Sequence, residues 1–460
     1  MSQDTTTSFD VLILGAGSAG YACALRAAQL GLTVGLVERD EVGGTCLHQG
    51  CVPTKAVLHA AEVADVVREA GSVGVDATLG GIDAAAVNRF KDGVVGRLHK
   101  GLSGLLRSSG VVVIRGEGRL VSSHAVDVDG VRYDGSHLVI ATGSVARSLP
   151  GIEVGGPVVT SREALALTRV PRRAVVIGGS VIGVEFASAW RSLGAEVTVV
   201  EALAGLVPLE DPTLGRQLER AFRRRGIDVR TGTAVTGVDR EGADATVTLG
   251  DGTRLEADVV LVAVGRGPNT AGLGLEDAGI RTDRGWVETT ERLATGVPGV
   301  WAVGDVVRGL QLAHRGFAHG IFVAEEIAGL APAVVVDSQI PRVTYCTPEL
   351  ASVGLTEPQA RERYGDGVEV VEYDLAGNGR SQILETAGTV KLVALAGGPI
   401  LGVHMIGARM GEQVGEAALA VGWEATAEDL ALYIHAHPTQ NEALGEAAMA
   451  LAGRPLHAHG

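Results

Sequence analysis

Two cysteines stand five positions apart in the stretch GGTCLHQGCVPTK, residues 43–55, of a chain that has only four. At that spacing Cys46 and Cys51 can be a structural staple, part of a metal clip, or a pair that opens and closes during a reaction. Pro53 suits the first turn of a helix, where its missing N–H costs nothing. Cys51 is then expected at a helix start, where the helix dipole favours a thiolate. Lys55 follows on the same helix face and adds an ammonium group. A staple has no use for an ionised sulfur. A zinc clip needs further soft ligands, and the two remaining cysteines are poorly placed for it. Cys23 falls in an expected helix and Cys346 in an expected strand, where each reads as an inert buried thiol.

A second group lies near the far end, in YIHAHPTQNEALGEAA (433–448). His437 precedes Pro438 at an expected helix start, and Glu442 follows one turn in. A carboxylate on one imidazole nitrogen fixes the tautomer and leaves the other nitrogen free for proton transfer. Taken alone, His437 reads first as a surface histidine before a helix. His435 and His437 form an HxH pair, but no third ligand is evident. His457 and His459 read as solvated tail residues.

These groups must be held by something, and a repeat supplies it. VLILGAGSAG (11–20) reads as an apolar strand, then glycines at Gly15, Gly17 and Gly20, then a helix. The next strand ends in Glu38. AVVIGGSVIG (174–183) begins the same pattern with Gly178 and Gly183, and its second strand ends in Glu201. In both units a glycine follows the first by 16 residues and the acid follows it by 23. One GxGxxG is weak evidence, but two in register indicate two βαβ dinucleotide units. The glycines turn the chain, admit a pyrophosphate and let helix pack on strand. The phosphates sit at the helix start and the acid meets a ribose hydroxyl. Ser180 replaces the middle glycine of the second unit. A bare Glu201, with no arginine close behind it, favours NAD over NADP.

HLVIATGS (137–144) and VVLVAVGRGPN (259–269) read as strands that close the two sheets. VPGVWAVGDV (297–306) delivers Asp305 into a glycine turn. From about residue 341 the pattern changes to α+β, with GTVKLVAL and GPILGVHMIG as a hairpin. The fold class expected is α/β, with two Rossmann-like dinucleotide domains and a C-terminal α+β domain. The boundaries expected are 1–150, completed by 271–340, for the first nucleotide domain. They are 151–270 for the second and 341–460 for the last.

Composition agrees with a soluble globular protein. Hydrophobic residues make up 46% and charged residues 20%, with 66 glycines, and aromatics are so few that Ala, Val and Leu must build the core. A net charge of −15 argues against nucleic acid or an anionic membrane as main partner. No apolar run approaches the ~18 residues of a membrane span. MSQDTTTSFD does not read as a secretory signal. Four cysteines in 460 residues is cytoplasmic usage.

Taken in order, GGTCLHQGCVPTK, the two nucleotide units, ATGS, AVGRGPNT, AVGDV with LAHRGFAHG, and HPTQNE resemble the FAD-dependent pyridine nucleotide–disulfide oxidoreductases over essentially the whole chain. The match looks closest to the branch that oxidises dihydrolipoamide, in its actinobacterial form. The resemblance implies FAD on Gly15, Gly17, Gly20, Glu38, Gly44, Thr45, Gly118, Thr142, Gly143, Asp305 and Ala313. Lys55 approaches the flavin and is paired with Glu185. NAD meets Gly178, Gly183, Glu201, Gly265 and Arg266. Cys46 exchanges with substrate, Cys51 faces the flavin, and His437, oriented by Glu442, is the base.

The resemblance also implies a homodimer in which His437 serves the disulfide of the other subunit. The partners implied are lipoyl domains of 2-oxo acid dehydrogenase complexes or the glycine cleavage H protein. Other disulfide reductases of the family, of mycothione or glutathione type, are the alternative. One departure stands out: His319 occupies a position often acidic in relatives, and a surface or interface effect is expected of it.

Overall fold

The computed structural model describes residues 7–457. Two compact units emerge. One holds the chain up to Ala56 together with Ala85–Arg147 and Arg266–Asp337. The other holds Val57–Ala84, Ser148–Gly265 and the chain from Ser338 onward.

In the first unit, strand Ser8–Leu14 runs parallel to both Val34–Glu38 and Val131–Ile140. Val112–Arg115 and Val300–Ala302 extend the parallel ladder at its two sides. A meander of Gly118–Ser122 and Ala125–Val128 continues it in antiparallel fashion. Val11, Leu12 and Ile13 are fully buried, as are Leu138, Val139 and Ile140. Such unbroken apolar runs are what a sheet covered on both faces requires. Helix Ala313–Ile327 lies on helix Ser18–Gln29 at very close range. A Cβ on Gly320 would stand 2.2 Å from the Ala19 carbonyl oxygen, so only glycine permits this approach.

The second unit repeats the plan. Strand Arg173–Ile177 lies between Glu196–Val200 and Val259–Val262, all parallel. The two expected closing strands, around residues 137–144 and 259–269, therefore occupy equivalent places beside the first strand of each repeat. The same unit contains a five-stranded antiparallel sheet. Its central hairpin pairs Thr389–Leu395 with Ile400–Gly407, as the apolar pattern predicts. Helices Val414–Gly422 and Glu442–Leu451 pack buried alanines, Ala417, Ala443 and Ala447, into that sheet's core. The α/β class is thus the observed one, with an α+β C-terminal part.

Several local expectations need correction. Cys346 lies beyond strand Arg342–Thr344, in a turn, where its thiol donates to the Pro348 carbonyl. Its burial is complete, and burial pushes the thiol upward. The helix after Pro438 begins only at Glu442, because residues 438–441 form a turn held by side-chain bonds. His457 is not simply solvated: its Nδ1 lies 2.8 Å from Glu446 Oε1. His459 lies outside the described residues. His319 is buried, 2% exposed, so no surface role fits it. Its Nδ1 accepts from the Gly304 N–H at 3.3 Å. Burial first, and then the Arg315 charge, pull it down to about 4, so it is neutral at physiological pH.

Candidate active site

The two nucleotide repeats are built by the same bonds. In the first, the N–H of Gly15 donates to Val37 O at 2.8 Å; in the second, Gly178 donates to Val200 O at 2.8 Å. Both glycines have positive φ, +102° and +109°. A Cβ on either would collide with the closing strand, 2.5 Å from Ala141 O or 2.4 Å from Ala263 O. A Cβ on Gly20 or Gly183 would lie 1.8 or 1.9 Å from the oxygen of Gly15 or Gly178. First and third glycines are thus fixed by backbone packing.

The acids repeat as well. Glu38 Oε2 accepts from the Ala16 N–H at 2.7 Å, and Glu201 Oε2 from the Gly179 N–H at 2.6 Å. Their second oxygens accept from Asp40 N at 2.8 Å and Leu203 N at 2.7 Å. Each acid therefore props its own glycine turn.

The middle position behaves differently. A Cβ on Gly17 would meet nothing within 4 Å. Ser180 takes the same place in the second repeat with extended backbone. Serine is a favoured helix cap, yet its side chain makes no cap bond, and neither helix start has one. The first-turn N–H groups of both helices are thus left to an anion, which fits a dinucleotide pyrophosphate at each.

The remaining nucleotide candidates of the first unit include Gly44, Thr45, Gly118, Thr142, Gly143 and Ala313, and Gly265 lies in the second. Gly44 has φ +57°, and a Cβ there would stand 2.7 Å from the Gly17 Cα. Thr45 is exposed on the short helix Gly44–His48. Gly118 opens its strand against Leu14, Val37 and Val126. Thr142 Oγ1 donates to Asn269 O at 2.7 Å, and Asn269 N donates to Gly143 O at 2.9 Å. Gly143 and Gly265 have φ of +72° and +97°. Ala313 is the first residue of its helix.

Asp305 sits in a 3₁₀ turn after strand Val300–Ala302. Ser144 Oγ donates to its Oδ2 at 2.7 Å. Arg266 in turn donates from Nε to Ser144 Oγ at 2.7 Å and from its terminal nitrogen to Ser144 O at 2.6 Å. Burial pushes the Asp305 carboxyl upward against the pull of Ser144, Arg266 and Arg315. Arg266, expected at the second nucleotide, is thus engaged in the first unit. Sequence reading missed Ser144, although it stands in the quoted ATGS turn.

Cys46 is in the short helix Gly44–His48 and Cys51 is the first residue of helix Cys51–Glu69. The Pro53 argument for a helix start at Cys51 holds. The two sulfurs are in hydrogen-bond contact. That contact first, then burial and the negative charge of Cys51, push the Cys46 thiol far upward. The Ser18 hydroxyl and the Lys55 ammonium pull weakly the other way. Of the two sulfurs, Cys46 is the one whose proton is held. Tyr21 is also nearby: burial and the charges of Cys46 and Cys51 push its phenol up to about 12.

His437 and Glu442 belong to the second unit. His437 Nδ1 lies 2.6 Å from Glu442 Oε1, and the Thr439 N–H donates to Glu442 Oε2 at 2.6 Å. A carboxylate only accepts, so Nδ1 carries the proton and Nε2 presents its lone pair. The His437 side chain is 71% exposed while Glu442 is 17% exposed. The ring is thus held from behind and open in front. Glu185, also in this unit, is buried, and its Oε1 accepts from Tyr345 N at 3.0 Å. Among the described residues no cluster of three or more His, Cys, Asp or Glu could hold a metal ion.

Such an arrangement, a thiol pair and nucleotide-binding repeats in one chain, matches a family model. The pyridine nucleotide-disulphide oxidoreductase pattern covers residues 9–320, and that family's dimerisation domain covers 340–448. The chain belongs to the pyridine nucleotide-disulphide oxidoreductases. It is 40% identical to a dihydrolipoyl dehydrogenase of Thermus scotoductus, over 98% of this chain and 99% of that one. It is 40% identical to the mitochondrial dihydrolipoyl dehydrogenase of Pisum sativum, over 97% and 92%. In structure it resembles LpdA from Mycobacterium tuberculosis, with a TM-score of 0.89, 27% identity, and coverage of 97% and 100%. The oxidoreductase class and the FAD and NAD cofactors of this family accord with the two nucleotide repeats. Its C-terminal part is the family's dimerisation domain.

Proposed function

We propose that this pyridine nucleotide-disulphide oxidoreductase oxidises protein-bound dihydrolipoyl groups to the cyclic disulfide and passes the electron pair to NAD⁺. The products are NADH and one proton. The observation that carries the reading is the contacting Cys46–Cys51 pair at a helix start, within the unit that holds a complete dinucleotide repeat. Bound FAD supplies the two-electron relay between the dithiol and the nicotinamide.

The chain's own residues do the rest. His437 Nε2 takes the proton from a substrate thiol, with Glu442 holding its tautomer and stabilising the charge that results. The substrate sulfur attacks Cys46 of the oxidised pair, and Cys51 leaves as the thiolate. The helix start and Lys55 stabilise that thiolate. The second substrate sulfur then displaces Cys46 and closes the ring. Glu38, Gly15, Gly17, Gly20, Gly44, Thr45, Gly118, Thr142, Gly143, Asp305 and Ala313 hold FAD. Gly178, Gly183, Glu201 and Gly265 hold NAD, while Arg266 acts through Ser144 on Asp305. Glu185 backs Lys55.

The protein works as a homodimer in which His437 serves the disulfide of the second subunit. This is supported by the cysteines and His437 falling under different family models, the latter being the dimerisation domain. Lipoyl domains of 2-oxo acid dehydrogenase complexes, or the glycine cleavage H protein, are the carriers. The sparse cysteine usage supports a cytoplasmic setting. No described helix is long and apolar enough to cross a membrane.

The test is anaerobic. Dihydrolipoamide should bleach the flavin and, with NAD⁺ present, yield NADH in equal amount. Absence of NADH, together with fast NADPH-driven reduction of mycothione or glutathione disulfide, would overturn the reading.

A further inference from the structure

The segment 435–441, HAHPTQN, presents His437, and its two ends are gripped by a single carboxylate. Glu416, on helix Val414–Gly422, lies with Oε1 2.9 Å from His435 Nε2. Its Oε2 accepts from Asn441 Nδ2. Asn441 immediately precedes Glu442, the partner of His437. The His435 ring is packed in: 8% of its side chain is exposed, and a Cβ on Gly445 would stand 2.6 Å from its Nδ1. Tyr433 meets it edge-on at 5.8 Å.

The groups facing His435 are therefore Glu416 from one helix, Glu442 from another and Tyr433 from its own segment. Glu416 is the one in direct contact, and its bond, partly opposed by burial, raises the imidazole above its ordinary value. On the other side, burial opposes ionisation of Glu416, but His435 and Asn441 prevail and hold the carboxyl low. Each partner thus favours the charged form of the other.

The middle of the segment is tied independently, with Asn378 donating to Thr439 O at 2.9 Å and Gln440 to Ala408 O at 3.1 Å. Those bonds fix its depth. Among the described residues, Glu416 alone bonds both ends and so sets their separation.

We propose that Glu416, acting through His435 and Asn441, is a positioning residue for the His437–Glu442 pair. It never touches substrate. It fixes the 2.6 Å contact that leaves His437 Nε2 as the base. This rests on the assignment of His437 as the base. A misplacement of about 1 Å at a reacting group can cost on the order of 10²-fold in rate.

Two variants test it, because Glu416→Gln alone could disturb folding. Asn441→Ala frees one end of the segment and leaves the His435–Glu416 pair in place. Both are measured as intact FAD-loaded protein. We expect flavin reduction by dihydrolipoamide to slow about 10- to 100-fold in kcat with KM little changed. Its pH profile should shift, since His437 loses its fixed partner geometry. NADH reduction of ferricyanide should keep the wild-type rate. Wild-type thiol kinetics and pH profile in both variants would overturn the proposal, as would equal slowing of both half-reactions. His437→Ala separates the two levels. If it leaves the thiol half-reaction intact, the base assignment fails. If it abolishes that half-reaction while Glu416→Gln and Asn441→Ala do not, only the positioning role fails.

Discussion

Ser144 Oγ donates to Asp305 Oδ2 at 2.7 Å across 161 residues of chain. Asp305 is a half-buried carboxylate that burial pushes upward, and that donor and the Arg266 charge oppose the push. Ser144→Ala removes the donor without adding bulk. A hydrogen bond to a charged group contributes about 1.5–3 kcal/mol, so FAD affinity should fall at least tenfold. Reconstitution of the stripped protein with FAD, followed by fluorescence, measures it. Unchanged affinity would show that Arg266 alone secures Asp305.

His437→Ala should slow the dihydrolipoamide half-reaction by roughly 10²–10⁴, the usual loss on removing a general base. Glu442→Gln should slow it less, because an amide can still accept from Nδ1 but does not stabilise the imidazolium. Flavin reduction by NADH should survive in both. Stopped-flow absorbance follows the two half-reactions separately, and a parallel loss would remove His437 from the thiol chemistry.

Glu201 bonds two backbone N–H groups from a site that is 8% exposed. Glu201→Ala therefore leaves two donors unsatisfied and should destabilise the unit by about 2–4 kcal/mol, at roughly 1–2 per donor. It should also raise the KM for NAD⁺ about tenfold or more without improving NADP⁺. A variant that gained NADP⁺ use would show that the acid only repels the 2′-phosphate.

Asp258 is 3% exposed. Burial pushes its carboxyl upward, but bonds from Arg173 N at 2.8 Å, from Arg169 and from Arg172 N at 3.1 Å outweigh this and hold it below its ordinary 3.8. A depressed folded-state value contributes stability that is complete above 3.8 and lost as pH falls through the lower, folded-state value. Asp258→Asn should lower Tm at pH 7, and the gap to wild type should close as the pH drops below 3.8. A gap independent of pH would mean that packing and not ionisation is responsible.

Gly320→Val should disrupt the contact of helix Ala313–Ile327 with helix Ser18–Gln29, since even a Cβ would stand 2.2 Å from Ala19 O. Helix Ser18–Gln29 follows directly on the first glycine turn, so its displacement would shift that turn. FAD content of the purified variant should drop sharply. Full FAD content with wild-type Tm would contradict the packing argument.

What could be read beforehand was whatever depends on local spacing. Gly15 and Glu38, or Gly178 and Glu201, announce themselves because turn, helix and second strand have fixed lengths. Cys51 at a helix start follows from Pro53 two positions on. His437 with Glu442 was legible because the two lie five residues apart. Contacts between distant segments left no such trace. Nothing in the chain links Ser144 with Asp305, or Glu416 with His435, until the sheets bring their segments together. His319 was expected at a surface or interface because its position is often acidic in relatives, whereas Gly316 and Gly320 beside it draw two helices close enough to bury it. The helix start assigned after Pro438 was four residues early: side-chain bonds to Asn378 and Ser381 hold that turn in place of helical ones.

The backbone latches of Glu38 and Glu201 bear on how such a protein can change over evolutionary time. Each acid is engaged with its own glycine turn before any ribose arrives, so a mutation that alters nucleotide preference also weakens the fold. A lineage moving toward a phosphorylated nucleotide would first need another acceptor for the Gly179 and Leu203 N–H groups. Preference and architecture are therefore epistatic at this position, and the acid is expected to persist even in descendants that have lost the activity.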